Sequence, residues 1–278
     1  MAEAEQQIER TVQEKWAAVG ARLSTPVVAI GDMATFFFLS ITAIFRPPYR
    51  FGLLFTQLDF MAFGSLFVVG LTGLFTGMVF ALQLGYAFGL FNAQSLVGAT
   101  VALALARELA PIFTSIVVVA RVGSAVATEL GTMRVTEQID ALETMAVDPF
   151  NYLVVPRIVA AALATPLLTM LFNAIGLVGA YGVAVVLGNM SPGTFLNRLE
   201  YLVEVKDITL GLGKGAVIGF VVILIAAYRG YSATGGARGV GIATTRAVVG
   251  GLIAIFAIDY IYTAATLSES PRTGGGLG

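Results

Sequence analysis

Four ionisable side chains lie inside otherwise apolar runs and are the first candidates for chemistry in this sequence. Arg107 and Glu108 stand in VGATVALALARELAPIFTSIVVVA, Lys214 in ITLGLGKGAVIGFVVILIAAY, and Asp259 in AVVGGLIAIFAIDYIYTAATL. Charged groups in hydrocarbon are costly unless they are paired or hydrated. Two positive and two negative charges sum to zero, which predicts an intramembrane polar cluster. Because the adjacent Arg107 and Glu108 point about 100° apart on a helix, the cluster needs at least two separate contacts.

Two interpretations of this cluster stay open. Polar side chains between membrane helices can hold the helices together without any role in transport. Alternatively, the cluster lines a cavity or a conformational gate, since intramembrane charge is by default a functional-site hypothesis. Neither interpretation requires an enzyme.

The composition excludes much of ordinary catalytic chemistry. The chain has no Cys and no His, and therefore no disulfide, imidazole base, thiol nucleophile or Cys/His metal site. The run GYSAT fails the Gly-x-Ser-x-Gly pattern at Thr234, and the Gly213-Lys214 pair lacks the rest of a phosphate-binding loop. Lys and Arg total 16 against 17 Asp and Glu, which gives no basic surface for nucleic acid. We predict no catalytic residue, no metal, no cofactor bound by this chain and no nucleic-acid partner.

Long charge-free runs place the four ionisable residues on membrane-spanning helices. Hydrophobic residues make up 57% of the 278 positions and charged residues only 12%, which excludes a soluble enzyme. A helix needs about 20 apolar residues to span the hydrocarbon core. We predict five spans, near residues 60–84, 97–120, 156–187, 208–228 and 247–267. The third is longer than a straight crossing needs, so either Pro166 kinks it or it extends beyond the bilayer.

A further apolar stretch, residues 26–45, either crosses the membrane or lies in its interface. With five spans and a cytoplasmic N-terminus, the cytoplasmic side holds 11 of the 16 Lys and Arg and the other side three. A sixth span would divide them 8 to 6, so the positive-inside rule favours an interfacial or re-entrant helix. Ahead of it, apolar residues at helical spacing predict an amphipathic surface helix; they are Ile8, Val12, Trp16, Val19 and Leu23.

The predicted fold class is thus an all-α membrane protein with five transmembrane helices, preceded by an N-terminal interfacial or re-entrant helix. We divide it into residues 1–58, which hold the amphipathic and interfacial helices, and residues 59–278, the transmembrane domain. Glycines at four-residue spacing indicate close helix packing; they are Gly73 and Gly77, and Gly211, Gly215 and Gly219. Because the chain has 32 glycines, ordinary packing is favoured over a dimer face.

The connection between the second and third spans predicts an amphipathic helix at about residues 127–146, before Asp148-Pro149. Its apolar face holds Val135, Ile139, Leu142 and Ala146, and its acidic face holds Glu129, Glu137, Asp140 and Glu143. Anionic lipids repel an acidic face, so a protein partner is favoured over the membrane surface.

The sequence ALARELAPIFTSIVVVARVGSAVATELGTMRVTEQIDALETMAVDPFNYLVVPR, together with GIATTRAVV and the later Asp259-Tyr260, resembles the MlaE/YrbE-type permeases. These are the membrane subunits of ABC transporters that work with MCE-domain proteins. The resemblance runs from about Gly73 to the end of the last span.

The resemblance implies a homodimer in the bacterial inner membrane, resting on two copies of a cytoplasmic ABC ATPase that holds ATP and Mg²⁺. It implies a periplasmic MCE-domain hexamer above the dimer and allows a small STAS-domain protein. The implied function is to move phospholipid, or a related lipid, between the inner membrane and the MCE protein, which maintains outer-membrane lipid asymmetry. By matching positions, the lipid cavity would involve Phe80, Gln83, Phe91 and Leu109, with Arg107, Glu108 and Lys214 nearby. Coupling to the ATPase would involve Glu129, Arg134, Glu137, Asp140 and Glu143.

The alternative function is an ion- or proton-coupled secondary transporter, in which Glu108 and Asp259 would carry protons. Five spans without an internal repeat count against it, because secondary transporters are often built from paired halves. The sequence selects neither a lipid headgroup nor a direction of transport.

Overall fold

The computed structural model describes the backbone of residues 31–188 and 190–269, and side chains as far as residue 266. In chain order the helices are α1 (Gly31–Ile44), α2 (Phe51–Gly89), α3 (Gln94–Val135), α4 (Gln138–Thr144), α5 (Phe150–Leu187), α6 (Pro192–Leu202), α7 (Val205–Tyr231) and α8 (Gly236–Glu269). The amphipathic helix predicted around Trp16 lies outside the described residues.

Five of these helices are long and apolar enough to cross a membrane: α2, α3, α5, α7 and α8. The predicted all-α fold with five spans is therefore confirmed. Each helix extends beyond its predicted span at one or both ends. Helix α1, as described, is shorter than a span, in agreement with a non-spanning helix ahead of the bundle. Its placement in the membrane interface stays a prediction.

The described residues divide into two compact units, one that ends at Pro47 and one that begins at Pro48. The boundary predicted at residue 58 lies inside α2, whereas the two compact units are divided at Pro47-Pro48. The physical reason is local, because two consecutive prolines lack the N–H groups that a continuing helix requires. The spans and their connections thus form the second unit.

Glycines bring the spans into backbone contact within one subunit. A Cβ atom on Gly77 of α2 would lie 1.8 Å from the carbonyl oxygen of Gly176 in α5. On α7, a Cβ atom at Gly211 would lie 1.9 Å from the carbonyl oxygen of Ala106 in α3, and one at Gly219 would lie 2.2 Å from Thr165 Oγ1 in α5. The four-residue glycine spacing therefore serves packing inside the subunit, as the sequence favoured.

Helix α3 changes helical geometry where its charged residues Arg107, Glu108 and Arg121 lie. Helix α3 contains π-helical turns at Leu105–Leu109 and Val119–Gly123, and α2 tightens to a 3₁₀ turn at Phe63–Ser65. In the first π turn, the N–H of Ala110 donates to the carbonyl of Leu105, five residues earlier. Pro111 follows directly and has no N–H, so the regular pattern is interrupted next to Arg107 and Glu108.

The connection between the second and third spans is not the single helix predicted at about residues 127–146. Helix α3 continues through Glu129 to Val135, and the short α4 follows a break at Thr136 and Glu137. Glu137 has φ of 60° in the left-handed region, which ends one helix before the next begins. The apolar face is present in part, since Ile139 is fully buried and Leu142 is half-buried.

Candidate functional site

Lys214 lies at the centre of an ion-pair network between three spans. Its side chain is 3% exposed, and its Nζ donates to Glu108 Oε2 at 2.6 Å and to Asp259 Oδ1 at 2.8 Å. Glu108 comes from α3, Lys214 from α7 and Asp259 from α8. One ammonium group therefore neutralises part of the charge on two carboxylates and joins all three helices. The structure brings together three of the four residues that the sequence predicted as an intramembrane cluster.

Thr263 completes this network. Lys214 Nζ donates to Thr263 Oγ1 at 2.8 Å, and that hydroxyl donates to Glu108 Oε1 at 3.1 Å. Thr263 lies four residues after Asp259, which places both on one face of α8. The three donor positions of the ammonium group are thus all used. Sequence reasoning missed this threonine, although its four-residue spacing from Asp259 was a usable signal.

The fourth predicted residue, Arg107, takes a different partner. Its Nε donates to Asp207 Oδ1 at 2.7 Å, and its Nη2 forms an ion pair with the same oxygen. Asp207 is 2% exposed, whereas the Arg107 side chain is 43% exposed. Two separate contacts for Arg107 and Glu108 were predicted from their divergence on the helix, and two are present.

Asp207 belongs to a capping box that begins α7, which explains its burial. Its Oδ2 accepts the backbone N–H of Glu204 at 2.9 Å, and the Glu204 side chain accepts the backbone N–H of Asp207 in return. The other carboxylate oxygen is directed to Arg107. Asp207 lies seven residues, or two helical turns, before Lys214, and this spacing could have identified it. We call Arg107, Glu108, Asp207, Lys214, Asp259 and Thr263 the polar cluster.

A cavity of about 250 Å³ adjoins the polar cluster. Besides most cluster residues, it is lined by Leu103, Leu202, Lys206 and Tyr262. Apolar and charged side chains share its wall, which suits an amphiphilic molecule better than a bare ion. Among the residues that the structure describes, no three acidic side chains group closely enough to hold a metal ion.

The four residues assigned to the lipid cavity by resemblance lie on α2, on the α2–α3 connection and on α3. Phe80 and Leu109 are half-buried, and Gln83 and Phe91 are exposed. None of them lines the cavity beside the polar cluster, nor two further cavities of about 380 and 240 Å³. Their contact with lipid stays a prediction.

Most residues assigned to ATPase coupling already have partners inside the subunit. Arg134 Nη1 donates to Asp140 Oδ1 at 2.5 Å across the break between α3 and α4. Glu129 pairs with Arg157 of α5 at 2.7 Å, and Glu143 Oε1 accepts from the Tyr231 hydroxyl of α7 at 3.4 Å. Glu137 is exposed at the break itself. Helix α4 is thus fixed to α3 and α7, and its acidic face is partly occupied.

Sequence comparisons agree with this architecture. The family described as Permease MlaE matches residues 54–265. A probable ABC transporter permease protein of Rickettsia bellii is 41% identical over 246 residues, which are 88% of this chain and 95% of that protein. The intermembrane phospholipid transport system permease protein MlaE of Haemophilus influenzae is 38% identical over 232 residues, 82% of this chain and 88% of its own.

A plant protein shows the same likeness over a shorter region. The chloroplastic protein TRIGALACTOSYLDIACYLGLYCEROL 1 of Arabidopsis thaliana is 38% identical over 200 residues, which are 72% of this chain and 57% of that protein. The matched regions contain all five spans or most of them. This multi-pass membrane protein therefore belongs to the MlaE family of ABC transporter permeases.

Proposed function

We propose that this chain is the membrane subunit of an ABC transporter that moves phospholipid between the bacterial inner membrane and a periplasmic MCE-domain protein, and so maintains outer-membrane lipid asymmetry. The observation that carries the proposal is the 38% identity, over 82% of the chain, to a permease of intermembrane phospholipid transport. Identity at this level over 232 residues supports a common mode of transport.

The chemistry of the spans supports a lipid as the transported molecule. Acyl chains need apolar surfaces and a few polar groups for the headgroup, whereas an ion path is lined with rings of polar or charged groups. Here Glu108 and Asp259 are both paired with Lys214, and Arg107 is paired with Asp207. The remaining surface of the spans is largely apolar.

The same pairing weighs against proton coupling. A carboxylate that carries protons must give up its counter-charge when it is protonated, but Glu108 and Asp259 both accept hydrogen bonds from the same buried ammonium group of Lys214. Protonation of either carboxylate would break an ion pair with an ammonium group that has little access to water.

Energy would come from ATP and Mg²⁺ on a separate cytoplasmic ATPase, with α4 as the contact on the permease side. The residues that flank α4 are exposed: Glu137 lies in the break before it and Met145, 64% exposed, follows it, on either side of the buried anchor Ile139. The transporter in this proposal contains two copies of this chain, two ATPase subunits and an MCE-domain hexamer, with a small STAS-domain protein as a further component. The N-terminus and α4 lie on the cytoplasmic side.

Reconstitution tests the proposal. The chain is purified with its co-purifying subunits, placed in vesicles that contain a fluorescent phospholipid, and supplied with the MCE-domain protein as acceptor. We expect phospholipid transfer that requires ATP hydrolysis. Transfer should stop when the ATPase subunit carries a substitution that blocks hydrolysis. Transfer driven by a proton gradient without ATP would refute the proposal in favour of a coupled transporter, and the absence of any ATPase among the co-purifying chains would do the same.

A further inference from the structure

Arg157 is a buried cation that the polar cluster does not use. It lies in the first turn of the regular part of α5, at the end of the bundle that carries α4, and is 4% exposed. Its Nη1 donates to the carbonyl of Leu153 at 2.5 Å, and its Nη2 pairs with Glu129 Oε1 at 2.7 Å. The structure describes no hydrogen-bond partner for its Nε. A buried charge held by a single carboxylate is costly, so its presence requires an explanation.

The position of the Glu129–Arg157 pair in the chain is informative. Glu129 lies in α3, shortly before the break at Thr136 and Glu137. Arg157 lies shortly after the π-helical turn Phe150–Val154 that begins α5. The pair therefore connects the two ends of the segment that contains α4. A displacement of α4 cannot move α3 without also pulling on α5.

Only a guanidinium group satisfies this geometry. Two of its nitrogens point to two different acceptors, a carbonyl in the π turn of α5 and a carboxylate on α3. Arginine presents donors in a rigid planar fork, whereas the lysine ammonium is a shorter point charge. Lysine can keep the charge but not both contacts at once.

The two partners differ strongly in exposure. The Arg157 side chain is 5% exposed, and the Glu129 side chain is 56% exposed. Glu129 was assigned by sequence to a surface that contacts the ATPase, yet one of its oxygens is directed inward to Arg157. Water hydrates the Glu129 carboxylate but not the Arg157 guanidinium. The stabilisation that the ion pair provides therefore depends mainly on the buried Arg157.

We propose that Arg157 is a positioning residue that joins α5 to the α3–α4 segment through Glu129, so that movement imposed on α4 by ATP hydrolysis reaches the third span. The inference rests on the proposed function. Helix α5 is suited to pass the movement on, because it meets α2 at Gly176 and α7 at Ala161, whose carbonyl oxygen would lie 2.9 Å from a Cβ atom on Gly219. Loss of the connection reduces the lipid moved per ATP hydrolysed.

The experiment compares complexes that contain the wild-type chain, Arg157→Lys, Glu129→Gln and the exchange Glu129→Arg/Arg157→Glu. Glu200→Gln, an exposed carboxylate on α6, is the control for loss of one charge. For each complex, assembly with the ATPase, the ATP hydrolysis rate and phospholipid transfer to the MCE-domain acceptor are measured on the same vesicles. The ratio of lipid transferred to ATP hydrolysed is the quantity compared, because a purely structural defect lowers both rates together.

We expect Arg157→Lys and Glu129→Gln to lower the ratio by about 2- to 30-fold, the range that substitutions along a coupled path produce. The exchange variant should recover part of the ratio, and Glu200→Gln should match the wild type. Unchanged ratios in assembled single variants, or proportional loss of both rates, would overturn the inference while leaving the proposed function standing. Failure of every variant to assemble would also overturn it, since the pair would then be structural. A wild-type complex without ATP-driven transfer would instead refute the proposed function, and this inference with it.

Discussion

Replacement of Lys214 by methionine removes the central cation of the polar cluster while keeping a side chain of similar length. Glu108 and Asp259 would then face each other without a counter-charge, and Thr263 would lose a donor. Removal of one partner from a buried ion pair costs about 3–5 kcal/mol. Because the Glu108 side chain is 39% exposed and can be hydrated, we expect a loss near the lower limit, about 3 kcal/mol.

The assay is thermal unfolding of the purified protein in detergent, followed by tyrosine and tryptophan fluorescence. A loss of about 3 kcal/mol corresponds to a decrease in Tm of about 6–12 °C for a chain of this size. The matched control is the triple variant Lys214→Met/Glu108→Gln/Asp259→Asn. In this variant all three ionisable groups are neutral, so no buried charge lacks a counter-charge. It should recover most of the lost stability, since a neutral cluster of similar shape costs little.

Transport by the triple variant distinguishes the two interpretations of the polar cluster. A triple variant that is both stable and active indicates that the cluster only holds α3, α7 and α8 together. A stable but inactive triple variant indicates that its charges take part in lipid movement. Lys214→Met with a Tm within about 1 °C of the wild type would refute the energetic reasoning, because the buried ammonium would then contribute nothing measurable.

Three further predictions follow from the packing and from α4. Gly77→Ala should lower the free energy of unfolding by about 1–3 kcal/mol, because the new methyl group would collide with a backbone carbonyl of α5. Gly85→Ala is the control and should leave stability unchanged, because Gly85 has open space around it. Equal effects of the two substitutions in thermal unfolding would contradict the packing argument. Asp207→Ala should cost about 1–2 kcal/mol, since it removes a helix cap and leaves a guanidinium that water can already reach, whereas Arg107→Ala should cost more, because it leaves the buried Asp207 carboxylate without its counter-charge. No loss of stability in Asp207→Ala in the same assay would be evidence against the capping role. Glu137→Lys should reduce recovery of the ATPase in co-purification, and full recovery together with normal transport would exclude a docking role for this residue.

The number and order of the spans could be predicted from the sequence because they depend on local composition. Charge-free runs define a membrane helix without reference to any other part of the chain. The intramembrane charges could also be identified from the sequence, since an ionisable residue in an apolar run needs a partner wherever it lies. Lys214, Glu108 and Asp259 were identified in this way, and the structure brings them together.

The partners of individual charges could not be predicted, because they depend on helix geometry and on contacts distant in sequence. Asp207 lies one residue before the predicted fourth span, and the structure shows that a capping box includes it in α7 and directs its other carboxylate oxygen to Arg107. The left-handed backbone conformation of Glu137 divides the predicted coupling helix in two. The helical spacing of the acidic residues does not predict such a break. The partner of Glu129 lies 28 residues away, beyond that break.

The arrangement of α5 explains how one subunit can connect its two charged regions. The Glu129–Arg157 pair is at the α4 end of the bundle, and the polar cluster is on α3, α7 and α8, where Glu108 lies 21 residues before Glu129 on α3. Between them, α5 meets α2 and α7 where glycines allow backbone atoms to touch. Long flexible side chains would absorb a displacement by changing rotamer, but closely packed backbones transmit it. A movement that enters α5 at Arg157 must therefore shift α7, and with it Lys214, which holds Glu108 and Asp259.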